Sequence, residues 1–183
     1  MKQYPTLTTE RLILRPFRLA DAPDVERLAG AREIAENTLH IPYPYPEGAA
    51  AQWIAMHGQR FEEEKQVTLA ITLKEGGELI GAISLILELA HDKGEIGYWI
   101  GMPYWSRGYT TEAARAVVQY GFQEWSLHRV EAFHFTRNPS SGRVLQKLGM
   151  RHEGTLRGDI KKWGEYVDTE MYGILRDEWR LSS

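Results

Sequence analysis

The residues best suited to chemistry lie between positions 95 and 113, where the sequence reads EIGYWIGMPYWSRGYTTEA. In this segment a run of strand character is followed by a glycine-containing loop and then by a run with helical spacing. The first amides of a helix have no partners within the helix, and the helix dipole favours a negative charge beside them. We therefore predict a site for a phosphate or diphosphate, held by Arg107, Gly108, Tyr109, Thr110 and Thr111. An ordinary capped helix after a turn is the alternative that the loop alone leaves open.

The elements on both sides of this loop follow from residue spacing. Apolar residues recur every three to four positions after the loop, as on a helix that covers a core: Ala114, Val117, Val118, Gly121 and Trp125. Either Thr110 or Thr111 is expected to cap that helix. Before the loop, Ile96 to Ile100 reads as a short strand that contains Gly97 and ends at Gly101, and a glycine in a strand often marks a bulge.

Common phosphate and metal motifs are absent from the sequence. The run from Gly108 to Thr111 lacks the lysine and the second glycine of a P-loop, and no Rossmann fingerprint is present. His152 and Glu153 lack the second histidine of a zincin motif, so we expect no metal. The chain has no cysteine, which excludes disulfides, thiolate metal sites and covalent cysteine catalysis.

Length and composition favour one domain over residues 1–183, because 183 residues with 43% hydrophobic content and six tryptophans can bury a good core. No stretch reaches the roughly 18 consecutive apolar residues that cross a bilayer, and the first residues form no apolar signal core. We therefore expect a cytoplasmic protein that does not enter a membrane. With a net charge of -3 and scattered basic residues, we expect no direct contact with nucleic acid.

Strands and helices alternate along the remaining sequence. Patterning, prolines and glycines predict the strand Arg11–Pro16, a helix that starts at Asp21 and Pro23, a helix Ala50–Glu63, the hairpin Val67–Leu73 with Leu79–Leu87, the strand Arg129–Thr136, a helix that Asn138 caps and Gly149 ends, and a closing hairpin Arg151–Leu156 with Val167–Leu175. In the helix Ala50–Glu63, we expect Trp53, Met56 and Phe61 to point inward. The proline-rich segment Ile41–Pro46 is expected to be a stiff loop.

Three stretches of the sequence stand out together: TTERLILRP from Thr8, EIGYWI from Glu95, and NPSS from Asn138 followed by VLQKLGM from Val144. In this order they resemble the RimJ/RimL-like branch of the GNAT superfamily of N-acetyltransferases. The resemblance implies an α/β (α+β) fold, with a twisted, mixed and mostly antiparallel central sheet that helices flank. It further implies acetyl-CoA in a splay between central strands, with its diphosphate at the glycine-containing loop, and a homodimer.

The sequence departs from the pattern of this branch at three positions. Trp105 stands where relatives carry Gln or Arg, and Thr110 stands where they carry Gly or Ala. Leu145 stands where many relatives carry a tyrosine that protonates the leaving thiolate. Another group must then supply that proton, and the resemblance assigns this role to Ser141 and places the side chain of Asn138 beside the pantetheine. Local capping of the helix is the alternative for both residues.

Acetyl transfer from a thioester to an amine requires a stabilised oxyanion and a neutral amine. A bulged strand around Trp99, Ile100 and Gly101 would leave an amide free to bind the thioester carbonyl oxygen. Glu95 is the first candidate for the base that takes the amine proton, and a charge that merely faces water is its alternative. The other candidates for the base are His134, Glu33, Glu36 and a chain of water molecules.

The predicted function is direct, acetyl-CoA-dependent acetylation of a primary amine in a ternary complex. By resemblance to the RimJ/RimL-like branch, the favoured acceptor is the N-terminal α-amine of a protein such as a ribosomal protein. Two alternatives stay open: a small-molecule acetyltransferase for polyamines or antibiotics, and a non-catalytic sensor that binds acyl-CoA. The departures at Trp105 and Leu145 keep the sensor open.

Overall fold

A computed structural model describes residues 2–179 of the chain. Its strands are β1 (Leu7–Thr8), β2 (Leu12–Pro16), β3 (Gln66–Leu73), β4 (Leu79–Glu88), β5 (Lys93–Ile100), β6 (Arg129–Phe135), β7 (Arg151–Lys162) and β8 (Glu165–Leu175). Its helices are α1 (Ala22–Ala29), α2 (Arg32–Glu36), α3 (Ala49–Glu62), α4 (Tyr109–Glu124) and α5 (Pro139–Lys147). The described helices include no candidate for a membrane-spanning segment.

The strands join in one sheet, in the order β1-β2-β3-β4-β5-β6-β8-β7. Neighbouring strands are antiparallel except β5 and β6, which run parallel. This parallel pair requires a crossover, and α4 supplies it between the end of β5 and the start of β6. The predicted mixed, mostly antiparallel sheet with flanking helices is confirmed.

Helices cover both faces of the sheet. On one of them, the α1/α3 face, α1 and α3 pack on strand residues such as Ala82 and Trp99. On the other, the α4/α5 face, α4 and α5 enclose the larger core, which includes Ile96. Because successive side chains of a strand point to opposite faces, Glu95 lies on the α1/α3 face and Tyr98 on the α4/α5 face. The side chains of β5 are therefore divided between the two sides of the sheet.

Most of the predicted elements are confirmed, with small shifts of their ends. The short elements β1 and α2 were not predicted, and the closing hairpin is longer than expected. Two details of the helix predictions are wrong. Met56 points outward and is 43% exposed. Neither Thr110 nor Thr111 caps α4, because Gly108 holds the cap position with a φ of 82° and both threonines already lie in the first helical turn.

The bulge predicted around Trp99 to Gly101 is also wrong. β5 pairs with β4 in an unbroken register up to Ile100, and the Gly101 N–H donates to the Ile80 carbonyl at 2.8 Å. The irregularity lies on the other edge of β4, where the register with β3 shifts and leaves Ile80 as an extra residue. An oxyanion site in β5 must therefore have another origin.

Candidate functional site

The sheet opens between β5 and β6. Their parallel pairing runs only from Lys93 opposite Arg129 to Glu95 opposite Glu131. Beyond Glu95, β5 continues along β4 without pairing to β6, and we call the region between the two parted strands the strand gap. The prediction of a splay between central strands is confirmed by this register.

The direction of the amides in the strand gap follows from the ladder between β4 and β5. The amide of Gly101 points to β4, where it meets Ile80. Because amides alternate in direction along an antiparallel strand, those of Tyr98 and Ile100 point away from β4 and into the strand gap. The Ile100 carbonyl beside them already accepts a bond from Trp105 Nε1 at 2.6 Å. Two free donors thus face the strand gap without any bulge in β5.

The segment from Trp105 to Thr111, here called the phosphate loop, follows the short turn after β5 and includes the first residues of α4. Ser106 and Gly108 both have left-handed backbone, with φ of 61° and 82°. The first hydrogen bond of α4 runs from the Glu112 amide to the Gly108 carbonyl at 3.1 Å. The preceding amides, of Tyr109, Thr110 and Thr111, have no partner among residues 2–179. A concave turn with free amides at the start of a 16-residue helix is suited to an anion.

Arg11 and Glu112 brace the phosphate loop against β2. The Glu112 carboxylate accepts bonds from the Arg11 amide at 2.8 Å, from Arg11 Nε at 2.7 Å and from Thr9 Oγ1 at 2.6 Å. Arg11 Nη1 donates to the Arg107 carbonyl at 3.0 Å. Burial raises the pKa of Glu112, but the bonds from Thr9 and Arg11 outweigh it and hold this pKa below its usual value. Arg11 thus neutralises a carboxylate that would otherwise repel an anion at the helix start.

A cavity of about 400 Å³ adjoins the phosphate loop. Its lining includes Gly108 and Thr111 together with two basic residues, Arg115 and Lys147. Arg115 Nη2 donates to the Lys147 carbonyl at 3.2 Å, so these two residues of α4 and α5 are adjacent. Glu10 and Glu112 also line this cavity, and Glu112 is paired with Arg11, so Arg115 and Lys147 place two positive charges beside the phosphate loop. Neither basic residue is predictable as a site residue from the sequence, because their positions on helices carry no motif.

Ser141 lies in the first turn of α5, on the α4/α5 face. Its backbone N–H donates to Asn138 Oδ1 at 3.3 Å, so Asn138 caps the helix as predicted. The Ser141 hydroxyl lies 2.8 Å from the Tyr98 hydroxyl. Burial raises the pKa of Tyr98 above its usual value, and the bond with Ser141 offsets part of this effect. Leu145 is 0% exposed and belongs to the core, so its side chain serves packing.

Glu95 stands on the α1/α3 face, at the point where the strand gap begins. Its carboxylate is half-buried and has no hydrogen-bond partner within the described part of the chain. Burial raises its pKa, the nearby Glu131 raises it further and Lys93 lowers it. Gly97 next to it is exposed, with no atom within 4 Å of where a Cβ would stand. An unpaired carboxylate with a raised pKa beside open space is suited to accept a proton.

The other predicted bases lie apart from Glu95. His134 is on the α4/α5 face, where its Nδ1 bonds to the Phe135 carbonyl at 2.8 Å and its ring abuts Gly142 of α5. Glu36 is paired with Arg32 at 2.7 Å, and Glu33 is exposed on α2. Among the candidates, Glu95 is therefore the one at the opening of the strand gap.

Two parted central strands beside a helix start with free amides are typical of acyl-CoA-dependent acyltransferases. The model of the acetyltransferase (GNAT) domain family matches residues 11–151 of this chain. The chain belongs to the GNAT family of acetyltransferases, which use acetyl-CoA, and it is an N-acetyltransferase by this membership.

Relatives and solved structures agree with this assignment. The chain is 32% identical over 173 residues to the uncharacterized N-acetyltransferase YnaD of Bacillus subtilis, covering 94% of this chain and 98% of that protein. It is similar to the crystal structure of a GNAT-family acetyltransferase from Bacillus anthracis, with a TM-score of 0.85, 27% identity and coverage of 95% and 100%. RimL, a ribosomal-protein α-N-acetyltransferase solved with coenzyme A, shares the fold at a TM-score of 0.86, 16% identity and coverage of 95% and 99%.

Proposed function

We propose that this chain works as one domain over residues 1–183 that binds acetyl-CoA and transfers the acetyl group directly to a primary amine. The favoured acceptor is the N-terminal α-amine of a protein, such as a ribosomal protein. The observation that carries this proposal is the strand gap, which has two free amides at its side and the phosphate loop at its end. We also propose that the enzyme acts in the cytoplasm as a homodimer.

The residues around the strand gap fit acetyl-CoA in charge and position. The amides from Gly108 to Thr111 and the side chain of Arg107 would hold the diphosphate. Arg115 and Lys147 offer positive charge for the 3′-phosphate of the nucleotide. Asn138 has its Oδ1 engaged by Ser141, which leaves its amide nitrogen free to donate to the pantetheine arm.

The chain's own groups divide the chemistry between the two faces of the sheet, while bound acetyl-CoA supplies the acetyl group. The amide of Tyr98 donates to the carbonyl oxygen as negative charge develops on it, and such a donor is worth about 3 kcal/mol. The amide of Ile100 lies about 7 Å further along the extended strand, so it faces the pantetheine arm instead. Glu95 accepts the proton of the acceptor amine from the α1/α3 face. Ser141 donates a proton to the departing sulfur from the α4/α5 face.

An N-terminal α-amine suits this arrangement. Its ordinary pKa of about 8 leaves part of it neutral near pH 7, so a carboxylate with a raised pKa is a sufficient base. A lysine amine, with an ordinary pKa of about 10.4, would require a stronger base or a group that lowers its pKa. The likeness to RimL, described as a ribosomal-protein α-N-acetyltransferase, points the same way.

The acceptor is identified by incubating the purified full chain with a cell lysate and isotopically labelled acetyl-CoA. Labelled protein N-termini, found by peptide mass spectrometry and absent with the variant Gly108→Asp, are the expected result. If the label is found in polyamines or antibiotics and in no peptide, the acceptor is a small amine and not a protein N-terminus. Binding of acetyl-CoA with no labelled product in any fraction would leave a sensor in place of an enzyme.

A further inference from the structure

We propose that Tyr98 is a positioning residue that holds the Ser141 hydroxyl as a hydrogen-bond donor toward the departing sulfur. This role rests on the proposed function, because it concerns the thioester that the strand gap would hold. The family resemblance pointed to Ser141 alone, and the phenol beside it comes from a different element, 43 residues away in sequence.

The position of Tyr98 links the strand gap to α5. Tyr98 pairs with Ile83 of β4, beyond Glu95, where β5 has no neighbour on its other side. Its backbone amide therefore points into the strand gap, while its side chain crosses the α4/α5 face and meets Ser141. One residue thus supplies a donor for the carbonyl oxygen and a contact to the proposed acid.

The direction of the hydrogen bond follows from the acidity of the two hydroxyl groups. A phenol, with a pKa near 10, is a much stronger acid than an alkyl alcohol, so the Tyr98 hydroxyl is the better donor and Ser141 Oγ the better acceptor. The distance of 2.8 Å is that of a good O–H···O bond. No other side chain in residues 2–179 bonds to Ser141 Oγ, so the serine proton is free to point at a third atom.

The backbone of Ser141 is restrained from a second side. The Ser141 amide donates to Asn138 Oδ1 at 3.3 Å. The Tyr98 hydroxyl also lies 3.4 Å from the Ser141 carbonyl oxygen, but its single proton is directed to Ser141 Oγ, which is closer at 2.8 Å. Burial keeps the Tyr98 phenol neutral by raising its pKa, so it stays a donor throughout the pH range of the reaction.

The proton transfers balance with Tyr98 unchanged. As the carbon–sulfur bond breaks, its electron pair stays on sulfur and Ser141 gives its hydroxyl proton to that sulfur. The hydrogen bond from Tyr98 stabilises the negative charge that grows on Ser141 Oγ during this step. The acceptor amine loses one proton as its nitrogen is acylated, and a proton returns to Ser141 through solvent. Tyr98 keeps its own proton and acts only through Ser141.

The thiol pKa of bound coenzyme A tests this role without any acceptor. Coenzyme A itself is the probe, and the ultraviolet absorbance of its thiolate is followed during a pH titration of the complex. A free thiol of this type titrates near pH 8.5. A donor aimed at sulfur favours the thiolate, so we expect the wild-type complex to titrate at a lower pH. Tyr98→Phe should reduce the thiolate fraction at a given pH by roughly 5- to 10-fold.

Three variants make the test specific. Ser141→Ala should reproduce the shift of Tyr98→Phe, and the double variant should add nothing to Ser141→Ala, because the two hydroxyls act as one unit. Tyr120→Phe removes another buried tyrosine hydroxyl, on α4, and should leave the thiol titration unchanged. Ser141→Thr keeps a hydroxyl at position 141 and should titrate like wild type. Should Tyr98→Phe prove unstable, 3-fluorotyrosine at position 98, a stronger donor of nearly the same shape, should move the thiol titration to still lower pH, and an unmoved titration would contradict the role of Tyr98.

The outcomes separate this role from the proposed function. If wild type and Tyr98→Phe bind coenzyme A with equal affinity and the bound thiol titrates at the same pH in both, the role of Tyr98 is overturned. The acetyltransferase proposal then stays intact. A wild-type protein with no affinity for coenzyme A would overturn both. A purely structural phenol would lower the melting temperature and leave the titration of the bound thiol where it was.

Discussion

The two sides of the strand gap differ in how completely the protein has assembled them. On the α4/α5 face, the candidate groups are held by the chain itself: Tyr98 and Asn138 restrain Ser141, and Arg11 with Glu112 braces the phosphate loop. On the α1/α3 face, Glu95 has no partner among residues 2–179 and stands beside open space at Gly97.

This difference matches the different demands of a cofactor and an acceptor. A cofactor has the same shape in every turnover, so a preformed site lowers the entropy cost of binding it. An acceptor approaches an open face and brings part of the site with it. Side chains on the α4/α5 face should therefore control the affinity for the cofactor and the protonation of the leaving group. Glu95, on the α1/α3 face, should control deprotonation of the acceptor amine.

The largest effect is expected from Gly108→Asp, which places a carboxylate against the diphosphate. Gly108 has a φ of 82°, a conformation that both Asp and Asn tolerate, so Gly108→Asn is a matched control without the charge. We expect Gly108→Asp to weaken acetyl-CoA binding by at least about 100-fold in calorimetry. If Gly108→Asp and wild type bind acetyl-CoA with equal affinity, the diphosphate does not bind at the phosphate loop.

Ser141→Ala tests the chemistry of the α4/α5 face. We expect kcat to fall by about 100-fold, the usual contribution of a general acid, while the Kd for acetyl-CoA stays within a factor of two or so. The assay uses acetyl-CoA and a peptide with a free N-terminal amine, with release of free coenzyme A as the readout. Full activity of this variant would show that another group protonates the sulfur.

Glu95→Gln tests the α1/α3 face through both activity and stability. The pKa of Glu95 is raised in the fold, so its proton is held more tightly there than in the unfolded chain. Its contribution to stability is therefore present at low pH and lost as pH rises through the raised pKa. At neutral pH, Glu95→Gln should lower kcat by roughly 10- to 100-fold and also raise the melting temperature.

The pH profile sharpens that result. With Glu95 as the base, the wild-type rate should rise as pH passes the raised pKa of this carboxyl, and the rise should disappear in Glu95→Gln. An unchanged profile in the variant would indicate that water takes the amine proton. Glu131→Gln is a useful second variant, because removing this neighbouring charge should move the rise to lower pH.

The smallest effect is expected at the cavity beside the phosphate loop, which Arg115 and Lys147 help to line. Arg115→Ala should weaken binding of acetyl-CoA by roughly 5- to 10-fold, because it removes one charge-assisted contact to the 3′-phosphate. Binding of 3′-dephospho-coenzyme A should be unaffected by the same change. Calorimetry with both ligands checks this, and an equal loss for the two would place Arg115 elsewhere on the cofactor or on the fold.

Local elements were predictable because their signals lie within a few residues. The stripe from Ala114 to Trp125 predicted α4, and Asn138 with Pro139 predicted the start of α5. Thr110 and Thr111 were wrong as caps because the choice of cap depends on where a single positive φ falls. Gly108 takes that conformation more readily than a threonine, so the helix starts at once after it.

Contacts between distant segments were not predictable from patterns. Arg11 and Glu112 are 101 residues apart, and each was visible only as part of a separate motif. One free amide around Trp99, Ile100 and Gly101 was expected from a bulge, whereas the free amides of Tyr98 and Ile100 result from the parting of β5 from β6. A bulge is a local feature of one strand, but the parting depends on where a second strand ends its pairing.

The amino-acid sequence by itself determined most of the helices and strands, because apolar spacing, prolines and glycines act over short distances. It also determined the residue types that a phosphate-binding loop requires. Only the tertiary structure decided which amides face the strand gap, that Arg11 neutralises Glu112, and that Tyr98 reaches Ser141. These depend on strand register and on the approach of segments far apart in the chain, which no local pattern encodes.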